Sequence, residues 1–318
     1  MQVSFIIPHK GRFEMLIQTI ESISAQDWDL EQLEVLVVSQ TPQIAKQILC
    51  SGAKLTVKVF IRPENETISA LRNYGFSQSN SPFLAFLDAD IWLSENWVGQ
   101  MHQHLCANPG RIIVSATQIC HHNAPILEKI RTSLSNAEID TNVAFLPGRN
   151  LFMRNNAFSR IGGFPEHLIT CEDYYFTDQA AQLGELYYTS SATYVHLGED
   201  KAYKPMFDKE IWRGQSNLQS IAGRKIPFRE WPSFLVPPGI TLTFLLALIL
   251  LLTGLYQGGL LLLALSFIPI FLYSFRLYKL ANNQIAFISI FKFYAVYFPA
   301  RAIGTFAGLF NSIAVKNT

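Results

Sequence analysis

From Trp231 to Phe275 the chain runs for 45 residues without an Asp, Glu, Lys, Arg or His. A bilayer core takes about 20 apolar residues per helix, so this stretch holds two spans. Lipid offers the backbone no hydrogen-bond partner, which leaves helices as the form such a segment can take. Tyr256-Gln257-Gly258-Gly259 is the polar, glycine-rich break inside the stretch and the expected turn. Arg224, Lys225 and Arg229 precede the first span, Arg276 and Lys279 follow the second, and the turn carries no charge. By the positive-inside rule both flanks lie in the cytoplasm, with residues 231–280 as a hairpin in the inner membrane. The second span reads as short, and Pro237, Pro238 and Pro269 are expected to interrupt ideal helices. A re-entrant hairpin in one leaflet is therefore the alternative. Residues 281–318 are apolar and aromatic but hold Lys292, Pro299 and Arg301. They read as an interfacial amphipathic segment in contact with membrane lipids, with a third span as the alternative.

The net charge of +1 hides a division of the chain. Residues 1–230 carry 20 Lys+Arg against 24 Asp+Glu, whereas residues 231–318 carry 5 Lys+Arg and no acid. Such a split describes a soluble domain over 1–230 joined to a membrane segment, with no nucleic-acid partner expected. Met1 leads directly into the apolar run Val3-Ser4-Phe5-Ile6-Ile7, so no signal peptide is expected. Cys50, Cys106, Cys120 and Cys171 have neither metal nor redox spacing and read as reduced, mostly buried thiols of a cytosolic compartment.

Within residues 1–230 strand and helix patterns alternate. Strands are expected over Val3–Pro8, Glu34–Ser39, Leu55–Ile61 and Phe83–Leu87, and helices over Arg12–Ala25, Gln43–Ser51 and Thr67–Gln78. Short apolar strands alternating with helices predict an α/β fold with a parallel, Rossmann-like sheet. Ligands of such sheets bind outside the carboxyl ends of the strands. Pro8–Arg12, Ser39–Pro42 and Asp88–Asp90 all follow strands and are expected along one edge.

The third of these segments carries the clearest chemistry. Phe83-Leu84-Ala85-Phe86-Leu87 is a buried-strand pattern, and Asp88 and Asp90 stand at its end with one alanine between them. Two carboxylates there repel each other and are costly to desolvate, so the pair makes sense around a cation. Mg²⁺ and Mn²⁺ take carboxylate oxygens and keep positions open for substrate phosphates, which points to a divalent-metal clamp on a diphosphate. The plainer alternative is a turn, because Asp commonly ends strands.

Several segments stand out by their order and spacing. They are Val3–Pro8 followed by a polar turn and Arg12, Ser69-Ala70-Leu71-Arg72-Asn73-Tyr74-Gly75-Phe76, and Phe86-Leu87-Asp88-Ala89-Asp90. Further on come Pro147–Arg154, Gly162-Gly163-Phe164-Pro165-Glu166 and Glu172-Asp173-Tyr174-Tyr175-Phe176. Together they resemble family 2 glycosyltransferases; the resemblance covers roughly residues 3–220 and implies a GT-A fold that binds a nucleotide-sugar donor with Mg²⁺ or Mn²⁺. It implies that Asp88 and Asp90 serve the metal and the nucleotide, with Asp90 the direct ligand. Pro8, Arg12, Ser39 and Arg72 would lie against the donor. It further implies Asp173 as the general base; a helix start, where acids suit the dipole, is the alternative for Glu172-Asp173. His196 is a further metal or diphosphate contact, weighed against a structural histidine. Arg213 sits where related enzymes close the donor or acceptor site, weighed against a surface arginine before the membrane. The alternative for Arg72 is a solvated helix face.

One departure stands out. Where family members often carry an acidic pair after the second strand, this chain reads Val38-Ser39-Gln40-Thr41-Pro42, which leaves UDP-, GDP- and dTDP-sugars open as donors. The expected activity is inverting transfer of a sugar to a membrane-proximal hydroxyl, on a lipid-linked or envelope-glycan acceptor. Nucleotidyl transfer and a catalytically silent membrane scaffold are the competing readings.

Overall fold

A computed structural model describes residues 1–42, 44, 55–221 and 228–316; the helix expected over Gln43–Ser51 lies outside them, as do Arg224 and Lys225. The chain divides into two compact units, Met1–Cys120 with Glu138–Glu199, and His121–Ala137 with Asp200–Thr318.

The first unit is built on a nine-stranded sheet: β1 (Val3–His9), β2 (Leu33–Ser39), β3 (Thr56–Ile61), β4 (Phe83–Leu87), β5 (Ile91–Leu93), β6 (Arg111–Ile119), β7 (Thr141–Val143), β8 (Asn150–Arg154) and β9 (Glu185–His196). Their order is β3-β2-β1-β4-β8-β6-β9-β5, with β7 on β9. The first four strands are parallel, as the apolar runs of β1, β2 and β4 predict, and every residue of β1 and β2 is buried, whereas β3 at the edge is half-exposed. β8 then runs antiparallel to both β4 and β6, while β9 runs parallel to β6. The carboxyl ends of β1, β2, β3, β4, β6 and β9 therefore share one edge, with the amino ends of β8 and β5. Helix α1 (Phe13–Ser24) covers the sheet with Leu16, Ile20 and Ile23, one stripe at helical spacing. Helix α2 (Ile68–Ser77) is capped by Thr67, whose Oγ1 accepts from the Ala70 amide at 3.2 Å. α3 (Trp97–Ala107), α5 (Asn155–Ile161) and α6 (Glu172–Ala181) complete this unit.

The second unit holds α4 (Ile126–Ser135), α7 (Tyr203–Gly214), α8 (Trp231–Leu252), α9 (Tyr256–Leu280) and α10 (Phe287–Lys316). α8 and α9 are long and apolar enough to cross a membrane. Four expectations are corrected here. The turn lies at Thr253–Leu255, not at Tyr256–Gly259, which forms the first turn of α9. Gly254 takes φ +82°, its amide bonds the Leu251 carbonyl at 3.3 Å and the Leu255 amide reaches back to Leu250 at 2.9 Å. That pair of bonds caps α8 with one left-handed residue, so no longer polar loop is required. Gly259 then admits Leu251, against whose side chain a Cβ would collide.

Nor is the second span short, because α9 continues past Phe275 through Arg276 and Lys279 to reach 25 residues. Pro237, Pro238, Pro269 and Pro299 sit inside helices without ending them, a tolerance common where neighbouring groups re-satisfy the backbone. Residues 287–316 form one helix that buries Ile290, Phe293 and Phe298 with Leu127, Ile130 and Leu277 in this unit's core. The cysteines also differ from expectation: Cys106 is exposed, and Cys120 and Cys171 are half-buried, all three free.

Candidate active site

The carboxylates at the end of β4 are placed by two ladders. β4 pairs with β8 as far as Leu87 opposite Asn150, and the Asp88 amide adds one more bond to the Arg149 carbonyl at 3.2 Å. The chain then enters β5, whose Ile91 lies opposite His196 at the end of β9. That antiparallel register brings Asp90 and His196 side by side, with Asp90 Oδ1 3.4 Å from His196 Nε2. Asp90 is 8% exposed, and its Oδ2 accepts from Arg12 Nη1 at 3.0 Å. Burial opposes a charge on His196, but hydrogen bonds to Asp90 and Glu199 outweigh it and raise its pKa.

A second cluster braces the same edge. Arg72 of α2 is only 1% exposed, so the solvated-face alternative is excluded. Its Nη2 donates to Asp88 Oδ1 and its Nη1 to Glu172 Oε1, both at 2.8 Å. Burial works against the guanidinium charge, yet the Asp88 and Glu172 carboxylates leave its pKa raised. Glu172 is pushed up to about 7 by burial and by the Asp173 charge, against the pull of Arg72. Asp173 lies in the first turn of α6 and is held by backbone amides: Gly148 N donates to Oδ2 at 3.1 Å and Tyr174 N to Oδ1 at 2.8 Å. A Cβ on Gly148 would crowd Arg72 Nη2 and Asp173 Cβ, each at 3.1 Å, so glycine permits this approach.

The donor set suits a divalent cation at Asp90. One carboxylate and one imidazole nitrogen face each other, and the Arg12 guanidinium already stands there as a cation. Gly198 leaves the cradle open, since a Cβ there would overlap Asp90 Oδ2 and lie 2.8 Å from Arg12 Nη1. Among the described residues no three His, Cys, Asp or Glu groups gather closely enough to hold a metal by themselves. Water, or substrate oxygens in its place, would complete the coordination. Asp88 Oδ1 is directed to Arg72 instead.

The other expected residues fall as follows. Pro8 is buried within β1 opposite Val38. Ser39 is buried beside it, with Oγ accepting from the Thr41 amide and lying 2.9 Å from His9 Nδ1. Gln40 spends both amide hydrogens on the Pro63 and Glu66 carbonyls, at 2.8 and 3.0 Å. Arg213 belongs to the second unit, where its Nη1 donates to Glu210 at 2.7 Å.

The family model for glycosyl transferase family 2 matches residues 4–162, half of the chain. The chain belongs to this family. The matched region of this family 2 chain includes Arg12, Arg72, Asp88 and Asp90, and ends before Glu172, Asp173 and His196. The glycosyltransferase AglE of Haloferax volcanii is 26% identical over 202 residues, covering 61% of this chain and 64% of that protein. A pre-mycofactocin glycosyltransferase of Mycobacterium tuberculosis is 25% identical over 132 residues, covering 38% of this chain and 28% of that protein. The matches thus span under two thirds of these relatives' own lengths. Among solved structures, the mannosyltransferase PcManGT of Pyrobaculum calidifontis, in complex with GDP-Man and Mn²⁺, superposes with a TM-score of 0.66. It is 14% identical and the match covers 98% of this chain and 87% of that one, a likeness of fold. The family 2 chain therefore has a GT-A-like α/β sheet domain with two C-terminal apolar helices as candidate spans.

Sequence reading did not single out Glu199, Arg149 or Gln118, which stand behind His196. The available signal was the spacing His196-x-x-Glu199 directly after a strand.

Proposed function

We propose that this family 2 protein is an inverting, metal-dependent glycosyltransferase. It moves a sugar from a nucleotide-diphosphate donor to a hydroxyl on a lipid-linked or glycan acceptor at the inner membrane, with the catalytic domain in the cytoplasm. The observation that carries the reading is the meeting of two groups of acids at one sheet edge: Asp90 with His196, and Asp88 and Glu172 around Arg72 with Asp173 beside them. The complex of PcManGT with GDP-Man and Mn²⁺, a protein of the same fold, supports both the donor class and the metal.

Asp90 and His196 would hold the cation, which when bound supplies positive charge to the diphosphate as it leaves. Arg12, 59% exposed at its side chain, is the exposed cation of the site: released from Asp90, its guanidinium can bind phosphate oxygens in a fork. Arg72 sets the spacing between Asp88 and the start of α6. Asp173, with both oxygens fixed by backbone amides, accepts the proton of the acceptor hydroxyl as it attacks the anomeric carbon. One such displacement inverts the anomeric centre.

Calorimetry of the full-length protein with Mn²⁺ and a panel of UDP-, GDP- and dTDP-sugars tests the reading. One donor should bind only with metal, and Asp90→Ala should abolish that binding while thermal unfolding stays cooperative. Unchanged metal-dependent affinity in the folded variant removes Asp90 from the site.

A further inference from the structure

An imidazole can bind a metal only through a nitrogen free of its proton, and the partner of the other nitrogen decides which one that is. In His196 the two nitrogens have different neighbours. Nε2 faces Asp90, and Nδ1 lies 3.0 Å from Glu199 Oε2. The backbone builds this contact: the Glu199 amide bonds back to the His196 carbonyl at 3.2 Å, and the Leu197 amide bonds the Asp90 carbonyl at 2.8 Å. Glu199 is itself buried and held, for its Oε2 accepts from Gln118 Nε2 at 3.1 Å and lies 3.9 Å from Arg149 Nη1. Arg149 is fixed in turn by donating from Nε to the Tyr194 hydroxyl at 2.9 Å. A buried carboxylate needs such compensation, and here the compensating groups also fix its direction.

We infer that Glu199 is the positioning residue of the metal site: it accepts a hydrogen bond from Nδ1–H of His196 and turns Nε2, free of a proton, toward the cation beside Asp90. The inference rests on the metal-dependent reading above and adds the residue that makes His196 a ligand. A purely structural role would be to tie the end of β9 to Gln118 of β6. The two roles differ in what reaches the metal.

Mn²⁺ alone, added to the full-length protein in detergent, separates them by electron paramagnetic resonance. Free Mn²⁺ reports affinity, and pulsed measurement of the bound ion reports coupling to an imidazole nitrogen. The wild type should show that coupling, and His196→Ala should lose it. Glu199→Ala should weaken Mn²⁺ binding by about 10- to 100-fold, the usual cost of removing such a partner, and diminish the nitrogen signal. Glu199→Gln should lose less, about 3- to 10-fold, because its amide oxygen still accepts a hydrogen bond but carries no charge. Combined with His196→Ala, Glu199→Ala should add no further loss. Unchanged affinity and nitrogen signal in folded Glu199→Ala overturn the inference, as do additive losses in the double variant. If Glu199→Ala does not fold, Glu199→Gln decides, and wild-type affinity with wild-type signal overturns it. A wild type that binds no Mn²⁺ overturns the metal reading together with this one, whereas binding without nitrogen coupling overturns this one alone.

Discussion

Asp173 shows how much a single residue's role depends on the donors around it. Both of its oxygens accept from backbone N–H groups, so Asp173→Asn must turn its amide nitrogen against one of those donors as well as losing the base. Transfer should fall by about 10²–10⁴-fold while metal-dependent donor affinity survives, the pattern of an interaction made chiefly in the transition state. Single-turnover assays with donor calorimetry check this, and a near wild-type rate returns Asp173 to a helix-start role. Arg12 makes a prediction of opposite signs. Its pair with Asp90 is partly solvated, and such pairs contribute about 0–1 kcal/mol, so Arg12→Ala should tighten binding of Mn²⁺ alone by no more than about fivefold. The same change should weaken binding of the nucleotide-sugar in the presence of Mn²⁺. Losses in both titrations would mean that Arg12 does not compete for the cation position.

At the scale of elements, the second unit is organised around a buried acid. Glu210 of α7 is 1% exposed and meets Arg131 of α4, Arg213 of its own helix and Arg301 of α10. α7 and α10 come close enough for this because of glycines: a Cβ on Gly304 would overlap the Ile211 carbonyl, and one on Gly308 the Gln215 carbonyl. Burial alone would raise the Glu210 pKa, but the three arginines overrule it and hold the carboxyl at about 2, below the ordinary 4.5. A depressed carboxylate contributes stability that is fully present above pH 4.5 and is lost as pH falls through about 2. The contribution at neutral pH is about 3 kcal/mol. Glu210→Gln should therefore lower Tm at pH 7 by roughly 6–12 °C and remove this part of the acid dependence. Thermal unfolding in detergent at pH 7 and pH 3 measures both, and an unchanged Tm at pH 7 would make the cluster energetically idle.

For the whole molecule the testable quantity is topology. α8 and α9 present apolar side chains outward, among them Leu245, Ile249, Leu261 and Phe271, a surface that suits lipid. With basic residues at the far end of α9 and none at the Thr253–Leu255 turn, Leu255→Cys should react with an impermeant thiol reagent in intact cells. Lys279→Cys should react only after lysis. Labelling of position 279 from outside would replace the cytoplasmic hairpin by a single span.

The parallel half of the sheet was legible because a strand buried on both faces must be a continuous apolar run, and β1, β2 and β4 are such runs. The pair of long apolar helices was legible for a related reason: 45 residues without a charged side chain stand out whatever else the chain does, and α8 and α9 lie largely within them. Asp88 and Asp90 could be found as acids closing a buried strand. Tertiary structure alone decided the rest. The antiparallel partners β8, β5 and β9 are joined across distant parts of the chain, and no local period encodes that pairing. It is this pairing that sets His196 beside Asp90, and it is folding that buries Arg72 between Asp88 and Glu172. The hairpin turn went to Gly254 and not to the more polar Tyr256–Gly259, because one left-handed residue satisfies the helix end. Apolar pattern is a local property that solvent reads directly; which charges neutralise one another depends on where the whole chain brings them.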